Sequence, residues 1–395
     1  MTFRTRRAVS MAAAALLASG AFTALGAPAH AAGTETDLAV TAAGTRVAAG
    51  VEGKVGWAKI ANQGEGTPGK VLFKVDTSKV DATKLVLEAY TGEGDLCRPT
   101  GDPKPGLFTC ELTAIPGPGE TTEVPLVLFK ATEQVTGPYS APVTISIESA
   151  DDTDDSNNSV DVDVELTAES GVDLGVIVPD VKTRIDLDTF EEEGPLRPGD
   201  FGILWSEVIN QGDRIAKGVK LTYQLPKGAT FLPIDGCDLS ANQRTLVCED
   251  KSFPFEPNTI LFLPLAIEVS EKVEAPVTLK DGSLAATAFG ELPAEARVSK
   301  QKKAKPAFAK AEVRSAEESE FADLDPSDNS DDFAVVVAAS EGGGGGGGGL
   351  PVTGVQAGLI GAVGAGVVLA GAAMFLVARR RRVVMVTPGD EKTTD

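Results

Sequence analysis

The sequence predicts an all-β protein made of two tandem β-sandwiches, with an N-terminal signal peptide and a C-terminal transmembrane helix. Three observations carry this. The middle of the chain contains one unit twice. Within each unit, apolar and polar residues alternate in short runs. The two ends are uncharged apolar stretches beside arginines.

Residues 1–31 read as a secretory signal peptide. Arg4, Arg6 and Arg7 precede an apolar core from Val9 to Leu25, shorter than the roughly 20 residues of a spanning helix. Ala29-His30-Ala31 then offers small residues for cleavage between Ala31 and Ala32. Arg6-Arg7 leaves twin-arginine export open beside the general route.

The exported part, Ala32 to Thr353, holds 28 basic and 54 acidic residues, a net charge of −26. Such a surface stays soluble and argues against nucleic acid or anionic lipid as partners. The only histidine is His30, inside the signal peptide. Ser-His-Asp and Cys-His catalysis and histidine-ligated metals are therefore excluded from the exported part. No cofactor motif is present either, since the polyglycine lacks the Lys-Ser/Thr of a phosphate loop.

The duplication covers residues 36–168 and 172–338. Asp37-Leu38-Ala39-Val40 matches Asp173-Leu174-Gly175-Val176. Trp57 to Val75 aligns without a gap to Trp205 to Tyr223, pairing Asn62-Gln63-Gly64 with Asn210-Gln211-Gly212. Cys97 and Cys110 match Cys237 and Cys248; Val124-Pro125-Leu126 matches Leu263-Pro264-Leu265. Ala141-Pro142-Val143 matches Ala275-Pro276-Val277, and Asp154 with Ser156-Asn157-Asn158 matches Asp325 with Ser327-Asp328-Asn329. Within a unit, Val71, Phe73 and Val75 alternate with Leu72 and Lys74, and Val143, Ile145 and Ile147 with Thr144 and Ser146. Period-two runs bounded by Gly, Pro, Asn and Asp are strand signals, and their number per unit suits a sandwich. Trp57 and Trp205 are expected as core anchors between sheets. Asn62-Gln63-Gly64 and its twin are expected as turns that tolerate φ > 0. Residues from about Ala296 to Glu320 have no counterpart in the first unit.

The four cysteines fall at matched places, so disulfides Cys97–Cys110 and Cys237–Cys248 are expected across hairpins. Closing loops this short stabilises by about 2–3 kcal/mol on a chain-entropy model. Metal binding by cysteine pairs is the alternative.

The second unit is followed by a polyglycine linker at 341–349, flexible coil with a span of roughly 16 Å for its eight glycines. Residues 350–354 are Leu350-Pro351-Val352-Thr353-Gly354. Residues 355–378 are apolar and uncharged, long enough to cross a bilayer. Arg379 to Arg382 open the basic tail at 379–395, which the positive-inside rule keeps in the cytoplasm.

This tripartite tail resembles the cell-wall sorting signal of sortase-anchored Gram-positive surface proteins, whose LPxTG pattern residues 350–354 match. The resemblance implies that the sortase transpeptidase cuts between Thr353 and Gly354. It then joins Thr353 to the peptidoglycan cross-bridge, so the membrane holds the chain only before sorting. A plain membrane anchor is the alternative. The repeated units resemble bacterial extracellular Ig-like repeats of the CARDB and conserved-repeat type. Those open on an Asp-Leu-x-Val strand, have a strand ending in Asn-x-Gly, and close with an Asp-x-x-Asn-Asn-Ser turn. Some wall-anchored Ig-like domains carry a Lys–Asn isopeptide bond, whose partners sequence does not locate.

Three clusters remain. Asp152, Asp154 and Ser156 stand at calcium-loop spacing, against the plainer reading of an Asx-rich turn. Lys300, Lys302, Lys303, Lys305 and Lys310 form a basic cluster that would suit an acidic partner or a solvated loop. With both tryptophans assigned to cores, sugar binding has little support. The expectation is a non-enzymatic, wall-anchored display or adhesion protein with a protein or wall-polymer ligand. A carboxylate-only enzyme such as a glycan hydrolase, and a spacer that binds nothing, are the alternatives.

Overall fold

The computed structural model describes residues 35–339 apart from 90–95, 102–103, 133–136, 188, 190 and 293–322. The Ala31/Ala32 cleavage site, polyglycine linker, Leu350–Gly354 motif, apolar run, basic tail and Lys300–Lys310 cluster lie outside the described residues. Among the described residues no helix is long and apolar enough to cross a membrane. The chain there is all-β apart from one 3-10 turn, Asp155–Asn157.

The first half forms β1 (Leu38–Ala43), β2 (Arg46–Val47), β3 (Gly53–Asn62), β4 (Leu72–Asp76), β5 (Leu85–Ala89), β6 (Cys97–Pro99), β7 (Leu107–Leu112), β8 (Thr121–Lys130), β9 (Tyr139–Glu148) and β10 (Ser159–Leu166). They make two sheets, ordered β1-β3-β8-β5 and β2-β10-β9-β4-β7-β6. Alternation puts one side of each strand inward. Val40, Ile60, Leu126 and Leu128 of the first sheet thus share an apolar core with Phe73, Val75, Val143 and Ile145 of the second.

The second half forms β11 (Leu174–Ile177), β12 (Thr183–Ile185), β13 (Glu192–Pro195), β14 (Phe201–Asn210), β15 (Ala216–Gln224), β16 (Ala229–Phe231), β17 (Cys237–Leu239), β18 (Thr245–Phe255), β19 (Thr259–Val269), β20 (Val277–Ala288) and β21 (Ser330–Val337). Its sheets run β13-β12-β14-β19-β16, with β11 also on β14, and β17-β18-β15-β20-β21. Leu204, Val208, Leu265 and Ile267 pack against Val219, Leu221, Tyr223 and Leu284. The buried Tyr223 hydroxyl meets Ser206 Oγ at 2.9 Å, the polar partner a phenol in a core requires.

The duplication is visible in the strand register. Trp57 pairs with Pro125 in the first half and Trp205 with Pro264 in the second. One matched block slips. Val75 faces Ile145, whereas its counterpart Tyr223 faces Leu284, so Ile145 corresponds to Leu284 and not to Leu279. A bulge between Leu279 and Gly282, where three steps on β20 face two on β21, accounts for one position of this slip. The hairpin β12–β13 is a second insertion, and it fills the extra length between matched blocks, since Asp37 and Asp173 are 136 positions apart but Trp57 and Trp205 are 148 apart.

Two local expectations are corrected. Neither tryptophan is a core anchor. Trp57 lies on the outer side of β3 in a small cluster with Val55, Ile177 and Ile209, and Trp205 lies on the outer side of β14, stacked on the exposed Phe262. Strand parity decides this: Ala58 and Ile60 point inward on β3, so Trp57 points out. Nor do Gly64 and Gly212 adopt positive φ. They are glycines because a Cβ would sit 2.5 Å from the Glu35 carbonyl or 2.2 Å from that of Gly171. The asparagines shape these turns: Asn62 Oδ1 accepts the Gly64 amide and its Nδ2 donates to Gly66 and Pro116 carbonyls, and Asn210 repeats the pattern.

Candidate functional site

The closing turn of each half is built from the same residues. In the first, Asp152 Oδ2 accepts the Leu38 amide at 3.0 Å and Oδ1 the Asp154 amide at 2.9 Å. Asp154 Oδ1 accepts both the amide and the hydroxyl of Ser156. These oxygens serve the turn itself, and among the described residues no group of three His, Cys, Asp or Glu side chains is placed to hold a metal. Asn157 Nδ2 then donates to Asp37 Oδ1 at 2.8 Å, locking the turn to the strand that starts the half.

In the second half Asp323 and Asp325 repeat the first steps, with Leu174 and Ser327 as donors. The lock cannot be repeated. Asn157 is replaced by Asp328, facing Asp173, so an amide–carboxylate pair has become two buried carboxylates. Two such groups without a donor repel, and burial raises the cost.

Lys54 resolves this from the other half. It sits near the start of β3, 1% exposed. Its Nζ lies 3.1 and 2.9 Å from the two oxygens of Asp173, 3.0 Å from Asp325 Oδ2 and 3.0 Å from Asp328 Oδ2. The repeat partner of Lys54 is Gly202, so the second half has no lysine of its own at this place. Burial pulls the Lys54 amine down, but the three carboxylates outweigh it and hold the ammonium above its ordinary value. Burial pushes Asp328 well up, with Asp173 and Asp325 adding to it, while Lys54 opposes. Asp173 is also raised by burial against the pull of Lys54. In Asp325 burial is outweighed by Lys54, Ser327 and the Arg46 amide, so it falls below the usual range. Asp325 is thus favoured as the anion, whereas Asp173 and Asp328 are shifted toward the protonated form. The partners of the Lys54 amine here are aspartates; no asparagine bonds it among the described residues, so the geometry is not that of a Lys–Asn link.

Other contacts frame the box. Gln211 bonds both the amide (2.7 Å) and carbonyl (3.0 Å) of Val55, and its Nε2 also reaches Asp328. The Arg46 amide donates to Asp325 and the Gly44 amide to Ser327 Oγ. Gly44 has φ +73°, and a Cβ there would lie 2.9 Å from Asp328 Oδ2. Further along, Lys59 bonds Asp331 at 2.7 Å, Asp180 accepts the Thr121 amide at 2.8 Å, and Lys182 bonds Glu120 at 2.6 Å. The two sheet pairs are therefore joined by a buried polar interface and not by a free linker.

A separate acid stands on the outer side of β14. Glu207 is 4% exposed, its Cα partners are Ile177 and Phe262, and its Oε2 has no hydrogen-bond partner. Burial alone pushes it up to about 7.

The disulfides are those expected, Cys97–Cys110 and Cys237–Cys248. Cys97, Cys110 and Cys248 are fully buried, whereas Cys237 is partly exposed. Thiol attack needs access to a sulfur. A reductant added to the folded chain should open Cys237–Cys248 first, as read by alkylation and peptide mapping, and equal rates for both bonds would contradict this.

Lys54 and Asp323 were not singled out from the sequence, and Asp173 and Gln211 entered only as matched positions of the duplication. The signal was there as a mismatch between repeats: Asn157 against Asp328, and Lys54 against Gly202.

No protein-family model matches the chain, and no curated protein matches it. Among solved structures, similar ones include the C-terminal domain of the Streptococcus pyogenes antigen I/II-family protein AspA, at 11% identity and TM-score 0.21, covering 64% of this chain and 95% of that one. A putative membrane anchored protein from Corynebacterium diphtheriae gives 8% and 0.22, over 76% and 96%. The collagen adhesin of S. aureus gives 11% and 0.20, over 78% and 94%. Likenesses of this size identify no family.

Proposed function

We propose that the chain is a non-enzymatic surface protein, exported and then joined through Thr353 to the cell wall, where it displays two Ig-like β-sandwiches for binding. The observation that carries this is the tail. The Leu350–Gly354 motif, the uncharged run at 355–378 and Arg379–Arg382 stand in the order a sorting signal needs. The exported part offers no histidine for proton transfer near neutral pH. Lys54 ties the buried Asp173, Asp325 and Asp328 together across the junction. A joint of that kind suits a protein that holds its binding surfaces in fixed relation away from the wall.

Thr353→Ala tests the reading. The variant should disappear from muramidase-released wall fragments and accumulate in membrane or medium. An unchanged wall-linked fraction would overturn anchoring, and turnover of glycan or peptide by the purified chain would overturn the non-enzymatic class.

A further inference from the structure

We propose that the cleft between the two sheet pairs binds a primary ammonium group on an apolar stem, the chemistry shared by a lysine side chain and a free alkylamine. The cleft measures about 230 Å3 and is lined from both halves, by Trp57, Lys59 and Glu123 on one side and Ile177, Asp328 and Asp331 on the other. Two side chains that line it each carry a buried carboxylate oxygen with no hydrogen-bond donor among the described residues: Glu123 Oε1, on a side chain 8% exposed, and Asp328 Oδ1. Lys59 does not satisfy Glu123. Its amine is committed to Asp331 Oδ1 at 2.7 Å and to the Asp332 carbonyl, and it stays 3.5 Å from Glu123 Oε1, a charge contact without a hydrogen bond.

A buried acceptor left without a donor is costly. An ammonium supplies three donors and a positive charge. Glu123, Asp328, Asp331 and Asp332 outnumber Lys59 around the cleft, so a cation is the complementary ligand. The Trp57 ring offers a wall on which an ammonium is favoured and an alkyl stem packs. Burial holds the Glu123 carboxyl well above the usual range, with Asp331 and Asp180 adding to it and Lys59 opposing. An arriving ammonium would take the place of that proton, so binding should release protons and strengthen as pH rises. The inference needs only the described halves and is independent of wall anchoring.

The test is titration calorimetry of the full chain, purified in mild detergent. The probes are Nα-acetyl-lysine methylamide, n-butylamine and the neutral Nα-acetyl-norleucine methylamide. The lysine derivative should bind and norleucine should not. The observed heat should differ between phosphate and MES buffers, neither a primary amine, reporting proton release, and affinity should rise about tenfold from pH 5 to pH 7, near one pKa unit of coupling. Binding of n-butylamine as well would mark the amine and stem as sufficient; binding of the lysine derivative alone would mark a peptide as the source. Glu123→Gln should weaken binding at least about tenfold and remove the buffer dependence. Thr41→Phe, at an exposed position lining the cleft, should block it without touching the core. Equal binding of norleucine, no binding of either amine at millimolar concentration, or unchanged affinity in Thr41→Phe would overturn the assignment.

Discussion

Lys54→Met should lower the unfolding free energy at pH 7 by about 3–5 kcal/mol, the cost of leaving buried charge without its partner. It should also split one unfolding transition into two, because the two sheet pairs would no longer be coupled through the box. Urea unfolding followed by fluorescence of Trp57, at the junction, and of Trp205 checks both. The pH dependence has a definite sign. Lys54 is raised, so its contribution is full below its ordinary value and is lost only as pH rises through the raised one. Asp325 is lowered, so its contribution is present above its ordinary value and lost as pH falls. Asp173 and Asp328 are raised carboxyls and act the other way, costing stability as pH rises through their folded values. The variant should therefore lose most near neutrality and less at acid pH, where the raised acids Asp173 and Asp328 hold their protons. Asp328→Asn restores the amide that the first half carries at Asn157 and should recover part of the loss in the Lys54→Met background. A loss under about 1 kcal/mol at pH 7 would show that the box does not hold the halves together.

Glu207→Leu should make the protein more stable above neutral pH by about 3 kcal/mol. The folded value lies at about 7 against an ordinary 4.5, and each pKa unit is about 1.4 kcal/mol. Because the carboxyl is raised, its penalty is absent below the ordinary value, builds as pH rises, and is complete above about 7. Leucine suits a site bordered by Ile177 and Phe262. Thermal unfolding at pH 5 and pH 8 should show a gain at pH 8 that nearly vanishes at pH 5. A gain independent of pH would mean packing, and not ionisation, is what the substitution changes.

Much of the fold was legible in the sequence because it depends on local alternation. Val71, Phe73 and Val75, and their partners Val219, Leu221 and Tyr223, are all buried as the period of two required. The disulfides followed from matched cysteines on matched hairpins. Even the Asx turns at Asp152 and Asp325 are local, since their bonds run two residues along the chain. Trp57 and Trp205 show where the reading stopped. A tryptophan within an apolar strand looks the same whether it faces its own core or a neighbour, and only the parity of the assembled sheet tells them apart. The slipped match of Val143 to Val277 is of the same kind: Ala-Pro-Val recurs in both units, and only the strand register shows that the two copies are not equivalent places.

The junction lay furthest from view. By itself the sequence determined that Asp173 repeats Asp37, that Asp328 stands where Asn157 does, and that Lys54 has no twin at Gly202. Nothing in those facts says that a lysine near the start of one unit meets three aspartates of the next, up to 274 positions away. Tertiary structure decided it, because a buried carboxylate pair must find its counter-charge in space and not along the chain. The extra acid of one repeat and the extra base of the other are each unfavourable alone, and burial makes them favourable only together.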